Sequence, residues 1–225
     1  MISTDSASRA IVLVLGSRNR KKCKEMAELI APPWEASRPL ERLFLRSVDD
    51  LGSAAPEVIE DADTFAGNAR KKASELARAL LVWVVADDSG LTVDALGGAP
   101  GVFSARYAGE PTNDDANNRK VLESLAATPD DLRGAAFRCA LALADPAGTI
   151  RLEAEGACRG RLTREPRGPA GFGYDPLFLI PEYHKTFGEL SPLVKHQLSH
   201  RARAFASFRR GLERMIAQGE LDANI

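Results

Sequence analysis

The sequence predicts an α/β fold, a sheet covered by helices on both faces. Two observations carry this: the runs AIVLVL (10–15) and VWVVA (82–86) are apolar throughout, as strands buried on both sides must be, and amphipathic helical stretches alternate with such runs. The length agrees, because 225 residues, 44% hydrophobic and 27% charged, can bury a full core as one large domain.

Taken in order, residues 1–9 are polar and expected to be disordered or extended, and 10–225 are expected to form a single domain. A strand at 10–15 leads into a helix at 21–30, which Pro32-Pro33 should stop. A second strand is expected at 43–48, a long helix at 64–81 and a third strand at 82–86. Beyond Asp88 the text LGGAPGVFSARYAGEP, rich in Gly, Pro and small residues, reads as an ordered functional loop. A helix at 113–127 follows. Two strands at 135–144 and 149–160, joined by the turn at 145–148, make a hairpin lobe around 134–160. A Gly/Pro loop, a strand at 177–180 and a helix at 199–216 complete the chain.

Thirty basic and 31 acidic residues leave a net charge of −1, so no global field draws in nucleic acid or an anionic membrane. Three dispersed cysteines without a CxxC pair argue against a disulfide framework and a structural zinc site, and for a reducing cytoplasm. The N-terminus lacks an apolar signal core, and the longest apolar run, 79–86, is far too short to span a bilayer.

Three cations lie on inward helix faces. Lys22 falls in line with Met26, Leu29 and Ile30; Lys72, one turn after Asn68, lies beside Ala69, Ala73 and Leu76; Arg201 shares the face of Phe205, Phe208 and Leu212. Long side chains can snorkel past apolar neighbours, but three near helix starts oppose the helix dipole and point to a shared anion, a polyphosphate. In the loop 16–22 (GSRNRKK), Ser17, Asn19 and free amides would cradle phosphate, or form an ordinary capped turn; the Walker A ending is absent.

Phosphates held this way call for a hard divalent ion, with Glu60 and the pair Asp87-Asp88 as carboxylate candidates. Strand alternation sends the two aspartates to opposite faces, so one should meet ligand. The competing readings are a helix-start acid for Glu60 and a turn at Asp-Asp-Ser-Gly. Adjacent acids exclude a DxD phosphotransferase.

With these residues the chain resembles the inosine triphosphate pyrophosphatase family, the Ham1-type house-cleaning nucleotidases. The matching blocks run nearly end to end: Ser17-Arg18-Asn19 through Lys22, Glu60 with TFAGNARKKA, ADDSGLTVDALGGAPGVFSARYAG, GFGYDP, and Lys195 followed by SHR at 199–201. The resemblance implies an elongated mixed sheet flanked by helices, with two lobes around a central substrate cleft, usually in a homodimer. It also implies Mg²⁺-dependent hydrolysis of ITP, dITP and XTP to the monophosphate and pyrophosphate. Ser17, Arg18, Asn19, Arg20, Lys21, Lys22 and Lys72 would hold phosphates, Glu60 and Asp88 would bind Mg²⁺, and Asp88 would serve as base. Ser89 would contact substrate; Phe172, Gly173, Tyr174 and Asp175 would hold the base, Phe172 by stacking; Lys195, His200 and Arg201 would read its 6-oxo edge. That assignment moves Arg201 from the phosphate end to the base end. Gly67 departs from the family, where Glu is common, so no metal role is placed there. The alternatives are a related-fold enzyme acting on dTTP or UTP and a non-catalytic nucleotide-binding module.

Overall fold

The computed structural model describes residues 10–30 and 40–221; the expected N-terminal segment and the Pro32-Pro33 stop lie outside them. Seven strands form one mixed sheet: β1 (Ile11–Leu15), β2 (Leu43–Ser47), β3 (Trp83–Val93), β4 (Gly134–Ala144), β5 (Ile150–Leu162), β6 (Phe178–Ile180) and β7 (Lys185–Thr186), in the order β2-β1-β3-β4-β5-β6-β7. β1 pairs in parallel with β2 and β3, and every pairing from β3 to β7 is antiparallel. The five helices are α1 (Arg20–Ile30), α2 (Phe65–Leu80), α3 (Asp114–Ser124), α4 (Pro192–Leu198) and α5 (His200–Ala217).

Alternation along the strands sorts the core. Leu13, Val85 and Leu141 face Met26 of α1 and Phe205, Phe208 and Leu212 of α5. Val84, Ala86 and Ala140 face Ala69, Ala73 and Leu76 of α2. A third cluster, with Phe137, Tyr174, Phe178 and Phe187, fills the β5–β7 end together with Val121 and Leu125. Helix starts are fixed by side chains that accept amide hydrogens: Thr64 from Gly67 (3.0 Å), Asn113 from Ala116 (2.8 Å) and Ser199 from Ala202 (3.1 Å). Gly67 suits its place, since a Cβ there would meet the Ala62 Cβ at 2.8 Å.

The largest departure from expectation is β3, which does not end at Ala86. It runs on to Val93 because β4 pairs with it without interruption from Val84↔Ala144 to Val93↔Ala135, and this continuity removes the turn reading of Asp-Asp-Ser-Gly. The hairpin β4–β5 is correspondingly the middle of the sheet. Short elements that periodicity does not register, β7 and α4, were missed; α4 begins with a Ser191 cap and Pro192.

Arg133 is fully buried and donates to the carbonyls of Leu162 (2.9 Å), Leu125 (2.8 Å) and Thr163 (2.9 Å), tying the end of α3 to the end of β5. Arg133→Met strands these acceptors, and urea unfolding should show a loss of about 3 kcal/mol, at the upper end for an unsatisfied buried group. An unchanged midpoint would contradict this role.

Candidate active site

β1 and β3 run in parallel only as far as Leu15↔Val85, where the Gly16 amide donates to the Val85 carbonyl at 2.8 Å. Beyond that point the chain of β1 turns away while β3 continues, leaving one edge of β3 open at residues 86–89. The open edge lies at the carboxyl ends of parallel strands, the usual ligand position in α/β sheets. A cleft of about 510 Å³ occupies it, walled by Ser17, Arg18, Asn19 and Lys22 on one side and by residues 56–60 on the other, with Lys72, Asp88 and Ser89 between them.

Pleating divides the aspartates as expected. Asp88 points to the α2 face, where Asn68 Nδ2 donates to its Oδ2 (3.0 Å) and the Ser89 amide to its Oδ1 (2.9 Å). Burial raises the Asp88 carboxyl to about 6; the hydrogen bond from Asn68 opposes the rise and the neighbouring Glu60 carboxylate adds to it. Lys72 Nζ stands 2.6 Å from Glu60 Oε1 and donates to the Asp87 carbonyl at 3.0 Å, filling the open strand edge. Arg106 Nη2 donates to the Glu60 carbonyl at 3.2 Å and fixes the opposite wall.

Asp87 points to the other face and is fully buried. Its Oδ2 lies 3.4 Å from Lys22 Nζ and 3.6 Å from Arg201 Nε, and accepts from Ser89 Oγ at 3.1 Å. Burial alone would raise its pKa, but Lys22, Arg201 and Lys72 outweigh that and hold it well below the ordinary carboxylate range. The carboxylate shared by two of the three inward cations, Lys22 and Arg201, is therefore, in the protein itself, Asp87, while Lys72 pairs with Glu60.

Of the two readings of the loop before α1, phosphate cradle or capped turn, the structure has the capped turn. Asn19 Oδ1 accepts from Lys21 N (3.0 Å) and Lys22 N (3.2 Å), and Ser17 Oγ accepts from Asn19 N (3.3 Å), so these three amides are engaged in a capped turn. Arg18 is turned to the Ala55 carbonyl (2.8 Å) and Asp49 (3.4 Å); Arg20 and Lys21 are exposed and do not line the cleft.

The remaining candidates gather around Phe172. Lys195 Nζ lies 4.8 Å from its ring centre, Arg201 5.7 Å and Lys21 5.9 Å. Asp175 Oδ2 accepts from the Phe172 amide (2.8 Å) and from Lys195 Nζ (2.6 Å); burial raises its carboxyl although Lys195 opposes this. Tyr174 belongs to the core and its hydroxyl donates to the Ser104 carbonyl at 2.8 Å; Gly173 donates its amide to Asp114 (2.8 Å). His200 is buried and stacked on Phe137 at 4.9 Å; burial, then Arg201 and Lys195, push its pKa well below the usual histidine value. Arg201 is held by Glu25 Oε2 and Ser89 Oγ, each at 2.8 Å. An α5 this close requires Gly156 on β5, where a Cβ would collide with the His200 carbonyl.

Sequence reasoning assigned no role to Glu25 or Arg106. Glu25 stands one turn after Lys22 on the same helix face, a signal that was available; nothing in the loop text marks Arg106.

Among the described residues no group of three or more His, Cys, Asp or Glu could hold a metal ion unaided. The donor set nonetheless fits Mg²⁺. Two carboxylates, Glu60 and Asp88, face one cleft closely enough for one to raise the other's pKa, and Mg²⁺ binds one or two carboxylates while taking the rest of its shell from phosphates and water.

The raised Asp88 value has a sign that stability measurements can read. A carboxyl whose folded pKa exceeds its unfolded value, 3.8, destabilises the fold; this penalty is full above about 6 and vanishes as pH falls toward 3.8. Asp88→Asn should therefore gain stability relative to wild type at about pH 8 compared with about pH 4.5. A difference in melting temperature independent of pH would contradict the shift.

The Ham1 family model matches residues 13–211. The chain is 50% identical over 216 residues to a dITP/XTP pyrophosphatase from Rhodopirellula baltica, covering 96% of this chain and 100% of that protein. It is 48% identical over 201 residues to a dITP/XTP pyrophosphatase from Shouchella clausii, covering 89% and 96%. A HAM1 protein from Coxiella burnetii superimposes with a TM-score of 0.80 at 37% identity, over 91% of this chain and 99% of that one.

Proposed function

The chain belongs to the Ham1 family and is a nucleoside triphosphate pyrophosphatase; on that premise we propose that its cleft converts dITP, XTP and ITP to the monophosphate and pyrophosphate with Asp88 as the base. The observation that carries this reading is Asp88 itself: a carboxyl raised to about 6 at the open edge of β3, between Glu60 and the cations Lys22 and Lys72. Near neutral pH it is ionised yet basic enough to accept a proton.

Asp88 takes a proton from water as the water oxygen bonds to the α-phosphorus, and the bond from that phosphorus to the bridging oxygen breaks, releasing pyrophosphate. Lys22 and Lys72 stabilise the charge that builds on the leaving group. Glu60 and Asp88 would hold Mg²⁺, which supplies neutralisation of phosphate charge when bound. At the other end Phe172 offers a stacking face, and Lys195, Arg201 and His200 are the donors for a 6-oxo group. Adenine's amino group would leave those donors unpaired, a loss that discriminates strongly.

The test is pyrophosphate release from dITP, XTP, ITP, dATP, dGTP, dTTP and UTP with and without Mg²⁺. The expected result is a preference of about 10²-fold or more in kcat/KM for dITP, XTP and ITP over dATP, whose 6-amino group leaves the donors unpaired, dependent on the metal. Turnover of dATP as fast as dITP would remove the selectivity reading; preference for dTTP or UTP would favour the related-fold enzyme. Nucleotide binding without pyrophosphate release would favour a binding module.

A homodimer is the assembly we assign, read by light scattering as twice the 24.3 kDa chain. A cytoplasmic setting is supported by Cys23, Cys139 and Cys158, all free thiols, and no helix among the described residues is long and apolar enough to cross a membrane.

A further inference from the structure

Four charged side chains run from the cleft wall toward the Phe172 group in a chain of contacts: Lys22 to Asp87 (3.4 Å), Asp87 to Arg201 (3.6 Å), and Arg201 to Glu25 (2.8 Å). The circuit closes through α1, which carries both Lys22 and Glu25 on one face. Asp87, Glu25 and Arg201 are all buried, and Lys22 is the partly exposed member that lines the cleft. Asp87 Oδ1 has no hydrogen-bond partner among the described residues, so the attraction of this carboxylate is divided between two cations that each lack a full set of bonds to it.

We infer that Asp87 is a positioning residue that couples the base end of the site to the phosphate end, by sharing one buried carboxylate between Arg201 and Lys22. The inference rests on the proposed reading, in which Arg201 faces the base and Lys22 the phosphates. The physical content is competition. Whatever strengthens the grip of Arg201 on Asp87 loosens its hold on Lys22 and frees that ammonium for phosphate; whatever removes Arg201 leaves Asp87 to Lys22 alone. Buried neighbours in one ion network couple in this way, and in low dielectric the effect is not screened out. Glu25 enters with the opposite sign, because it draws Arg201 away from Asp87.

The test uses inorganic pyrophosphate as a probe of the phosphate end, bound to the full-length protein in the presence of Mg²⁺ and followed by titration calorimetry. Arg201→Gln should weaken pyrophosphate and Glu25→Gln should tighten it, each by roughly threefold to tenfold. Both substitutions also alter the long-range field, so each is repeated in Asp87→Asn, where the relay is broken, and its effect should fall below about twofold. If Asp87→Asn does not fold, Lys22→Met serves instead, since the relay then has no end. Effects of equal sign, no effect, effects that persist undiminished in either background, or a wild type that does not bind pyrophosphate would overturn the inference. Calorimetry needs no turnover. A protein that binds the probe with these signs but releases no pyrophosphate from dITP would retain the relay and lose the proposed function.

Discussion

Asp88→Asn is expected to lower kcat/KM for dITP by about 10³-fold or more, the range for loss of a positioned general base, while the protein remains folded. The substitution keeps the side chain's shape and its place on β3, where pairing with β4 continues on both sides of it. It removes the proposed proton acceptor and one of the two carboxylates proposed to hold the metal. Circular dichroism and a cooperative melt establish the fold, and steady-state kinetics read the loss. Activity within tenfold of wild type would mean that the proton goes elsewhere.

Lys72→Met should cost about 10²-fold in kcat/KM, the typical effect of deleting one electrostatic donor to a developing charge. Lys72 is nine-tenths buried and bridges Glu60 and the Asp87 carbonyl, so its loss also leaves that carbonyl unpaired, and a stability decrease of about 1–3 kcal/mol should accompany it. The pH profile separates this variant from a general weakening. Lys72 lowers the Asp88 pKa, so removing its charge lets the carboxyl rise further above about 6 and moves the acid limb of kcat/KM to higher pH. An unmoved limb would show that Lys72 does not act on Asp88.

Much of this site was legible in the sequence, for physical reasons that can be named. Helical periodicity alone turned Lys22, Lys72 and Arg201 inward, because a cation in line with Met26 or Phe208 has nowhere else to go. Strand alternation alone divided Asp87 from Asp88. What periodicity does not encode is partnership across the chain. It placed three cations around one unspecified anion, whereas Lys22 and Arg201 share Asp87, contributed by a strand distant in sequence, and Lys72 pairs with Glu60. It likewise left the loop after Gly16 open between a phosphate cradle and a capped turn, and Asn19, turning back on the Lys21 and Lys22 amides, makes it the turn.

The extent of β3 was misjudged because two carboxylates and a glycine resemble a turn locally. Ten residues of antiparallel pairing with β4 override that local signal, and the same extension holds Asp88 at the cleft while its neighbour anchors the far side. Tyr174 illustrates the opposite limit. It sits within the GFGYDP block that the resemblance assigns to the base, yet its ring lies in the core and its hydroxyl is bound to Ser104, so within that block Phe172 alone presents an aromatic face beside the cations.

In the proposed reaction water attacks the α-phosphorus. Turnover of dITP in ¹⁸O-labelled water, followed by mass spectrometry of both products, tests it most directly. Attack at the α-phosphorus leaves label in the monophosphate and none in the pyrophosphate; label in pyrophosphate, or release of inorganic phosphate and a diphosphate, would place the attack at another phosphorus.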